Sequence, residues 1–414
     1  MGILFYYLII RVYDFLLLTI AIFNRKARLI VQGRKETFSI IKNLRITGEK
    51  IIWFHCASLG EFEQGRPVME SIKKNWEGHK IYVSFFSSSG YEVRKNDPLL
   101  DAVFYLPADT KENARKLVSL LKPEAAIFIK YEFWYYFFAA CNTHHIPVIS
   151  ISTVLRPDQV FFKFYGKFYR DILRRVDAYF VQDNQTFQLL RDIGIKQIEI
   201  AGDTRFDRVI KIRSDRTGVP VIDEFVAGRR LIILGSTWKP DIDLWKSYIN
   251  QNREQYKYLI APHHIDEGDL RYIENHISLK AIRFTRLNSK NFRDSEVMII
   301  DQIGLLSSLY FHGYVNYVGG SFSEGLHNVL EPAVFGTPVL LGKDKTNKKY
   351  LEAVGLIEAG GAFEVSNAEE LAAIMGKFSG ESSFYREAGE KSRTFVESRA
   401  GATGKIVTSL RSVL

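Results

Sequence analysis

VGGSFSEGLHNVLEPAVFGTPVLLG, from Val318 to Gly342, is the stretch whose reading decides the fold. The β-type run 314–318 feeds a turn at Gly319 and Gly320, and Ser321, Ser323 and Gly325 lead on to His327, Asn328, Glu331 and Pro332, which read as the opening of a helix. Glycines after a strand let the backbone come close to a ligand, and a helix N-terminus offers unpaired N–H groups to anionic oxygen. That makes the stretch a candidate phosphate seat. An ordinary strand–turn–helix joint, with Asn328 as N-cap and Glu331 as its capping-box partner, explains the same residues. The two readings stand equal on the local pattern, because such joints occur throughout α/β domains.

The neighbouring sequence favours the ligand. β-rich runs at 231–234, 257–261, 281–284, 297–300, 315–318 and 338–341 alternate with helical patterns. The first of them ends in Gly235-Ser236-Thr237, a second glycine turn that carries two hydroxyls into a helix. Two such turns at the strand ends of one sheet make a shared crevice. Neither has the GKS or GKT of a Walker A loop nor the GxGxxG spacing of a dinucleotide site. A similar series fills the first half, with β-type runs at 51–55, 80–85, 102–106, 125–129, 147–152 and 178–181 and helical patterns such as 111–121 and 133–140. Alternating strands and helices imply parallel sheets covered on both faces, with ligands beyond the carboxyl ends of the strands. At 414 residues, two domains are expected, with the polar, basic stretch 208–218 as linker and hinge.

Two carboxylates stand at strand ends in the first half. Glu61 follows the first strand through Ser58-Leu59-Gly60; it reads either as a capping-box partner of Ser58 or as a general base kept ionised at a helix N-terminus. Glu132 stands among Tyr131, Phe133, Trp134, Tyr135 and Tyr136, so it either lines an aromatic-walled pocket or lies beside a core helix. His144-His145 and His263-His264 are adjacent pairs whose side chains point apart, with no Asp, Glu or Cys at ligand spacing, and no metal site is expected. GxSxG does not occur, which removes a serine nucleophile elbow.

Charge and hydropathy set the surroundings. The chain carries 56 Lys and Arg against 47 Asp and Glu, a net charge of +9 that favours anionic partners. Phe161 to Arg175 interleaves aromatic and basic residues, which suits an anionic amphiphile or membrane surface as well as a core helix with a solvated face. No RNP-like or helix-turn-helix pattern points to nucleic acid. Cys56 and Cys141 form no CxxC pair, which favours a reducing compartment. Ile3 to Phe23 is mostly Leu, Ile, Phe and Tyr, interrupted by Arg11 and Asp14 at a spacing that lets them pair. Asn24, Arg25, Lys26, Arg28, Arg34 and Lys35 follow, which places that flank in the cytoplasm. The segment reads as a membrane anchor that spans or lies in the interface, without the flanks of a cleaved signal peptide.

Taken in order, the motifs resemble the 3-deoxy-D-manno-octulosonic acid (Kdo) transferases of Gram-negative bacteria. The likeness runs from the apolar amino-terminal segment through HCASLGE at His55, YLPAD at Tyr105, YEFW at Tyr131, GDTRFD at Gly202, GST at Gly235 and DQIGLLSSLY at Asp301 to the block at Val318. It implies a GT-B fold, two Rossmann-like domains facing across a cleft. The expected divisions are 1–24 as membrane anchor, 25–207 as acceptor-binding domain, 208–398 as nucleotide-sugar-binding domain, and 399–414 as a last helix of the kind that often crosses back to the first domain. It implies inverting, metal-independent and cofactor-free transfer of Kdo from CMP-Kdo to a lipid A precursor at the cytoplasmic face of the inner membrane, an anionic surface. Glu61 then matches the general base and Glu132 the second essential acid. Gly235, Ser236 and Thr237, with Gly319, Gly320, Ser321, His327, Asn328 and Glu331, match the nucleotide side, where a glutamate in the place of Glu331 holds ribose hydroxyls in GT-B enzymes generally. The chain departs from the family pattern at Trp238, where His is common, at Pro262-His263-His264 in place of Pro-Arg-His, and at 152–156, where an Asn-Ala-Arg segment is only loosely kept. A UDP-sugar transferase of the same fold and a non-catalytic membrane-surface protein are the alternatives.

Overall fold

In the computed structural model, residues 2–44, 48–215, 218–287, 292 and 294–413 are described, and the chain forms two compact units. The first comprises Met1–Arg208 and Ala400–Leu414, the second Val209–Arg399. The first holds a parallel seven-stranded sheet of β1 (Lys50–Cys56), β2 (His79–Phe85), β3 (Ala102–Tyr105), β4 (Ala125–Ile129), β5 (Val148–Thr153), β6 (Ala178–Val181) and β7 (Ile198–Ile200) in the order 3-2-1-4-5-6-7. The second sheet is also parallel and seven-stranded: β8 (Arg230–Thr237), β9 (Tyr256–Pro262), β10 (Ala281–Arg283), β11 (Val297–Ile299), β12 (Val315–Val318), β13 (Val339–Gly342) and β14 (Ala362–Val365), in the order 10-11-9-8-12-13-14.

The central strands read as unbroken apolar runs because both faces are covered. Along β1, Ile51 and Trp53 enter one core with Phe128 and Phe137, whereas Ile52, Phe54 and Cys56 enter the other with Val68, Met69 and Ile127. That second core also takes Ile406 and Leu410 of the last helix, Ala402–Val413, which packs on the helix α3 (Leu59–Asn75) of the first unit. Strand order reverses between β1 and β4 and again between β8 and β12. Each unit therefore has one topological switch point, the place where open α/β sheets hold ligands.

Two expectations change. Residues 208–214 of the expected linker belong to a helix, Thr204–Ser214, in which Phe206 and Val209 are buried, and the boundary between the units falls inside it; 216–217 lie outside the described residues. Arg11 and Asp14 do not pair. Arg11 donates to the Tyr7 hydroxyl, and Asp14 pairs with Arg34 of α2 (Arg25–Asn43) at 3.0 Å.

The amino-terminal helix α1 (Gly2–Ile20) keeps one stripe, Tyr6, Ile10 and Leu17, buried against the first unit. Its Tyr6 hydroxyl donates to the buried Asp109 at 2.5 Å. Asp109 also accepts the N–H groups of Tyr136 and Phe137 at 3.0 and 2.9 Å. It thereby caps from a distance the helix Tyr135–Thr143, whose own N-cap residue, Trp134, supplies no side-chain acceptor. Burial pushes this carboxyl up to about 6, against the pull of its three donors. Replacing Asp109 by Asn turns one acceptor into a donor facing another N–H, so urea unfolding in detergent should show a loss of about 1–3 kcal/mol. Tyr6→Phe leaves both backbone N–H groups capped and should cost less.

Candidate active site

Both carboxylates of the first unit lie at its switch point. Glu61 sits in the first turn of α3, just beyond β1, and is 6 % exposed. Its carboxylate accepts the N–H of Ala57 in a short hydrogen bond, while Ser58 makes no side-chain cap, so only half of the expected capping box forms. Burial, and then the charge of Glu132, raise the Glu61 carboxyl to about 7, against the N–H donors of Ala57 and Ser58 and the charge of Lys130. A carboxylate poised near neutrality is suited to general-base work.

Glu132 follows β4. Its Oε2 accepts from the Trp134 indole at 3.1 Å and lies 3.4 Å from His55 Nε2. It stands beside aromatic rings, as its sequence neighbours suggested: Trp134 stacks on Phe86 at 5.4 Å, Phe86 on Tyr13 of α1 at 5.8 Å, and the Arg34 guanidinium lies over Phe86. Lys130 and Ser152, at the ends of β4 and β5, have φ of 65° and 53°, a left-handed conformation that costs of order 1 kcal/mol outside glycine and concentrates at functional sites.

The second unit brings the two glycine turns together. Gly235 of β8 pairs with Val318 of β12, and Gly319 N–H donates to Gly235 O at 2.9 Å. A Cβ on Gly319 would lie 2.5 Å from Ser236 O and 2.7 Å from Asp241 Oδ2, so the approach requires glycine. Ser236 has φ 53°. Asp241 ties the turns, its Oδ2 accepting from Trp238 N–H at 2.8 Å and Gly320 N–H at 3.1 Å, its Oδ1 from the Tyr317 hydroxyl at 2.5 Å. The hydroxyls of Thr237 and Ser321 are buried and have no hydrogen-bond partner among the described residues. Such groups carry an uncompensated desolvation cost that a ligand oxygen would relieve.

His327 faces the same turns. Burial, then the charge of His263, push its imidazole down to about 4, and the Trp238 indole N–H points at its Nε2 from 3.4 Å. Trp238 stacks on His263 at 4.6 Å, and His263 lies 4.5 Å from His327. Asn328 and Glu331 do not form the expected cap. Asn328 Oδ1 accepts the Leu330 N–H and its amide donates to Glu331 Oε1 at 3.2 Å, while the Ser307 hydroxyl donates to Glu331 Oε2 at 2.7 Å. The helix they were expected to open is a single turn, Leu330–Ala333, too short for an anion seat of its own.

The structure thus gathers Gly235, Ser236, Thr237, Gly319, Gly320, Ser321 and His327 around one switch point, with Asn328 and Glu331 linked to each other and to Ser307. It sets Glu61 and Glu132 at the other. Asp241, Ser307, His55 and Asp109 were missed. Asp241 alone had a local signal, standing three residues after Trp238 at the start of a helix, where an acidic side chain turns back to the N-cap N–H.

Glu61 gives a sign-specific test. Its folded-state value of about 7 exceeds the ordinary 4.5. Between those values the folded chain holds a proton that the unfolded chain has released, so this contribution is fully present below pH 4.5 and lost as pH rises through 7. Glu61→Gln should therefore be more stable than the parent above pH 7, by at most about 3 kcal/mol in urea titrations, and should lack that pH slope. Gly319→Ala should separate the two turns and lower the melting temperature by several degrees.

Comparison with known proteins agrees with this geometry. The family model described as 3-deoxy-D-manno-octulosonic-acid transferase (kdotransferase) matches residues 32–208, which include both Glu61 and Glu132. The 3-deoxy-D-manno-octulosonic acid transferase of Aquifex aeolicus is 27 % identical over 77 % of this chain and 83 % of its own length. That of Chlamydia pneumoniae is 25 % identical over 81 % and 80 %. Among solved structures, UDP-GlcNAc 2-epimerase from Neisseria meningitidis bound to UDP-GlcNAc superposes with a TM-score of 0.62 at 15 % identity, covering 88 % of this chain and all of that one, a likeness of fold alone. The chain thus carries a Kdo transferase family domain over residues 32–208, is similar to Kdo transferases over most of its length, and has the GT-B fold.

Proposed function

We propose that this chain transfers Kdo from CMP-Kdo to a hydroxyl of a lipid A precursor, with inversion at the anomeric carbon. The observation that carries the reading is Glu61, a buried carboxylate at a switch point whose proton affinity lies near neutrality. Glu61 takes the proton of the acceptor hydroxyl as its oxygen forms the bond to the anomeric carbon; the bond from that carbon to the phosphate oxygen breaks, and CMP leaves with the electron pair. Glu132 is the second acidic residue, fixed by Trp134 and His55. On the donor side, the Thr237 and Ser321 hydroxyls and the backbone of both glycine turns bind phosphate and carboxylate oxygens, and Glu331, already an acceptor for Ser307, is placed for ribose hydroxyls.

The anchor belongs to the same reading. The helix α1 has 19 residues, about 28 Å at 1.5 Å per residue, enough to reach across a hydrocarbon core. Yet it meets the first unit along its whole length, through Gly2 against Phe168, Tyr6 on Asp109 and Asp14 on Arg34, while Leu4, Phe5, Leu8 and Phe15 are exposed. One docked face and one apolar outer face suit a helix seated in the plane of the inner membrane at its cytoplasmic side, with the basic residues of α2 toward anionic headgroups. Tyr13 of α1, Phe86 and Trp134 then form an aromatic wall from the anchor to Glu132, where a lipid acceptor enters.

Incubation with CMP-Kdo and lipid A precursor, followed by mass spectrometry, tests the reaction. The activity should rise with pH to a half-maximum near 7, the point at which Glu61 ionises. Glu61→Gln should reduce kcat by about 10²–10⁴-fold with the donor KM little changed. Retained transfer in that variant, or preference for UDP-sugars over CMP-Kdo, would overturn the assignment.

A further inference from the structure

His55 is fully buried beside Glu132, and no proton or bond of the proposed chemistry passes through it. It stands near the carboxyl end of β1, on the same face as Trp53. Its Nδ1 lies 2.9 Å from Ser84 Oγ and 3.1 Å from the Ser84 carbonyl, its Nε2 3.4 Å from Glu132 Oε2. The Trp53 indole N–H, a donor only, points at Ser84 Oγ from 2.9 Å. Ser84 accepts there, and its own proton has His55 Nδ1 at 2.9 Å as a nearer acceptor than Phe54 O at 3.4 Å. The neutral imidazole then carries its proton on Nε2, facing Glu132. The imidazolium also presents Nε2–H to Glu132, with Nδ1–H on the Ser84 carbonyl. A bare Nε2 would set its lone pair against a carboxylate oxygen, whereas a bare Nδ1 opposes the Ser84 carbonyl but keeps the Ser84 hydroxyl as its donor.

We propose that His55 is a positioning residue of this reaction, its Nε2–H holding the Glu132 carboxylate in place near the base Glu61. The relay runs Trp53 to Ser84 to His55 to Glu132, entirely on strands β1 and β2 until it reaches the loop after β4. Strand ends hold a group more rigidly than a loop can. The 3.4 Å contact is long for a hydrogen bond, as contacts in unliganded sites often are before substrate tightens them. Glu132 also acts on Cys56 and Tyr131, and Lys130 opposes it at Glu61. Glu132's negative charge favours the protonated form of Glu61 and so strengthens it as a base. If Glu132 lost its donor and swung away, that support would weaken.

The inference rests on the transferase reading of the site, and the test separates the two. A glutamine amide can place an N–H where His55 has Nε2, whereas an asparagine amide reaches only the Nδ1 position. With CMP-Kdo and lipid A precursor, His55→Gln should keep kcat within about fivefold of the parent and keep its pH profile. His55→Asn should lose about 10²-fold in kcat at unchanged donor KM, the low end for a positioned acid–base group. Its acid limb should move toward lower pH, as in Glu132→Gln. Melting temperatures of both variants show whether packing alone has been disturbed. If both lose activity equally, or neither does, the inference fails while the function stands; if the parent does not transfer Kdo, both fall. Should the His55 variants not fold, Ser84→Ala decides, since it removes the group that sets the tautomer. A lowered kcat with a shifted pH profile supports the relay, and an unchanged enzyme overturns it.

Discussion

A buried carboxylate that accepts backbone N–H groups from a distant segment fixes the strand-end surface of each unit. In the second unit it is Asp241, which receives N–H groups from both glycine turns and the Tyr317 hydroxyl. In the first it is Asp109, which holds the start of the helix Tyr135–Thr143 and the hydroxyl of Tyr6. Parallel strands end in loops that no ladder partner constrains, so the loops need another source of order. Charge-assisted bonds to a buried acceptor supply it, at roughly twice the strength of neutral ones. The cost is desolvation, which raises both carboxyls above the ordinary range.

The same burial acts on Glu61 with a different result because its surroundings differ. Asp109 and Asp241 each collect three short hydrogen bonds that oppose desolvation, and neither has another carboxylate among the causes acting on it. Glu61 has donors only at the start of α3 and carries the additional load of Glu132's charge. Its carboxyl stands at about 7, above that of Asp109 at about 6. The arrangement therefore divides acidic residues into two kinds. Asp109 and Asp241 are saturated with donors and organise loops. Glu61 is left with capacity to exchange a proton.

Much of this was legible in the sequence, and what was not has physical causes. The central strands announced themselves because burial on both faces demands continuous apolar runs such as those of β1 and β9. The edge strands β7 and β14 were not seen, since an edge strand needs no such run; Ile198–Ile200 is half-exposed, and β14 carries Glu364. Residues 208–218 looked like a linker because they are polar and basic, yet Arg and Lys are good helix formers, and Phe206 with Val209 at helical spacing suffices to dock the helix Thr204–Ser214 that takes in the first of them. The helix expected after Asn328 stops after one turn because Gly336, at φ 76°, and Pro338 follow it at once. The glycine turns and both glutamates were found from local pattern. Asp109, His55 and Ser307 act across 24 to 103 residues of chain, and no window of sequence contains their partners.

The two departures from the family pattern on the donor side become one feature in three dimensions. Trp238 and His263 stack with their planes 19° apart, and His327 adds a third ring at 4.5 Å from His263. A tryptophan at the end of β8 needs a flat neighbour across the crevice. A histidine at the end of β9 supplies one, so each residue makes room for the other. The exchange has an electrostatic side. Burial lowers both His263 and His327, with the charge of His264 adding to the first and that of His263 to the second, so these two rings are uncharged at neutral pH. Under the proposed function an anionic donor would draw no positive charge from these rings. Neutral donors in the turns would meet it: the hydroxyls of Thr237 and Ser321, without a partner among the described residues, and the N–H groups of a backbone that Gly319 allows to close on Ser236. The strained φ of Ser236 and the missing side chain at Gly319 are the structural terms of that substitution of dipoles for charge.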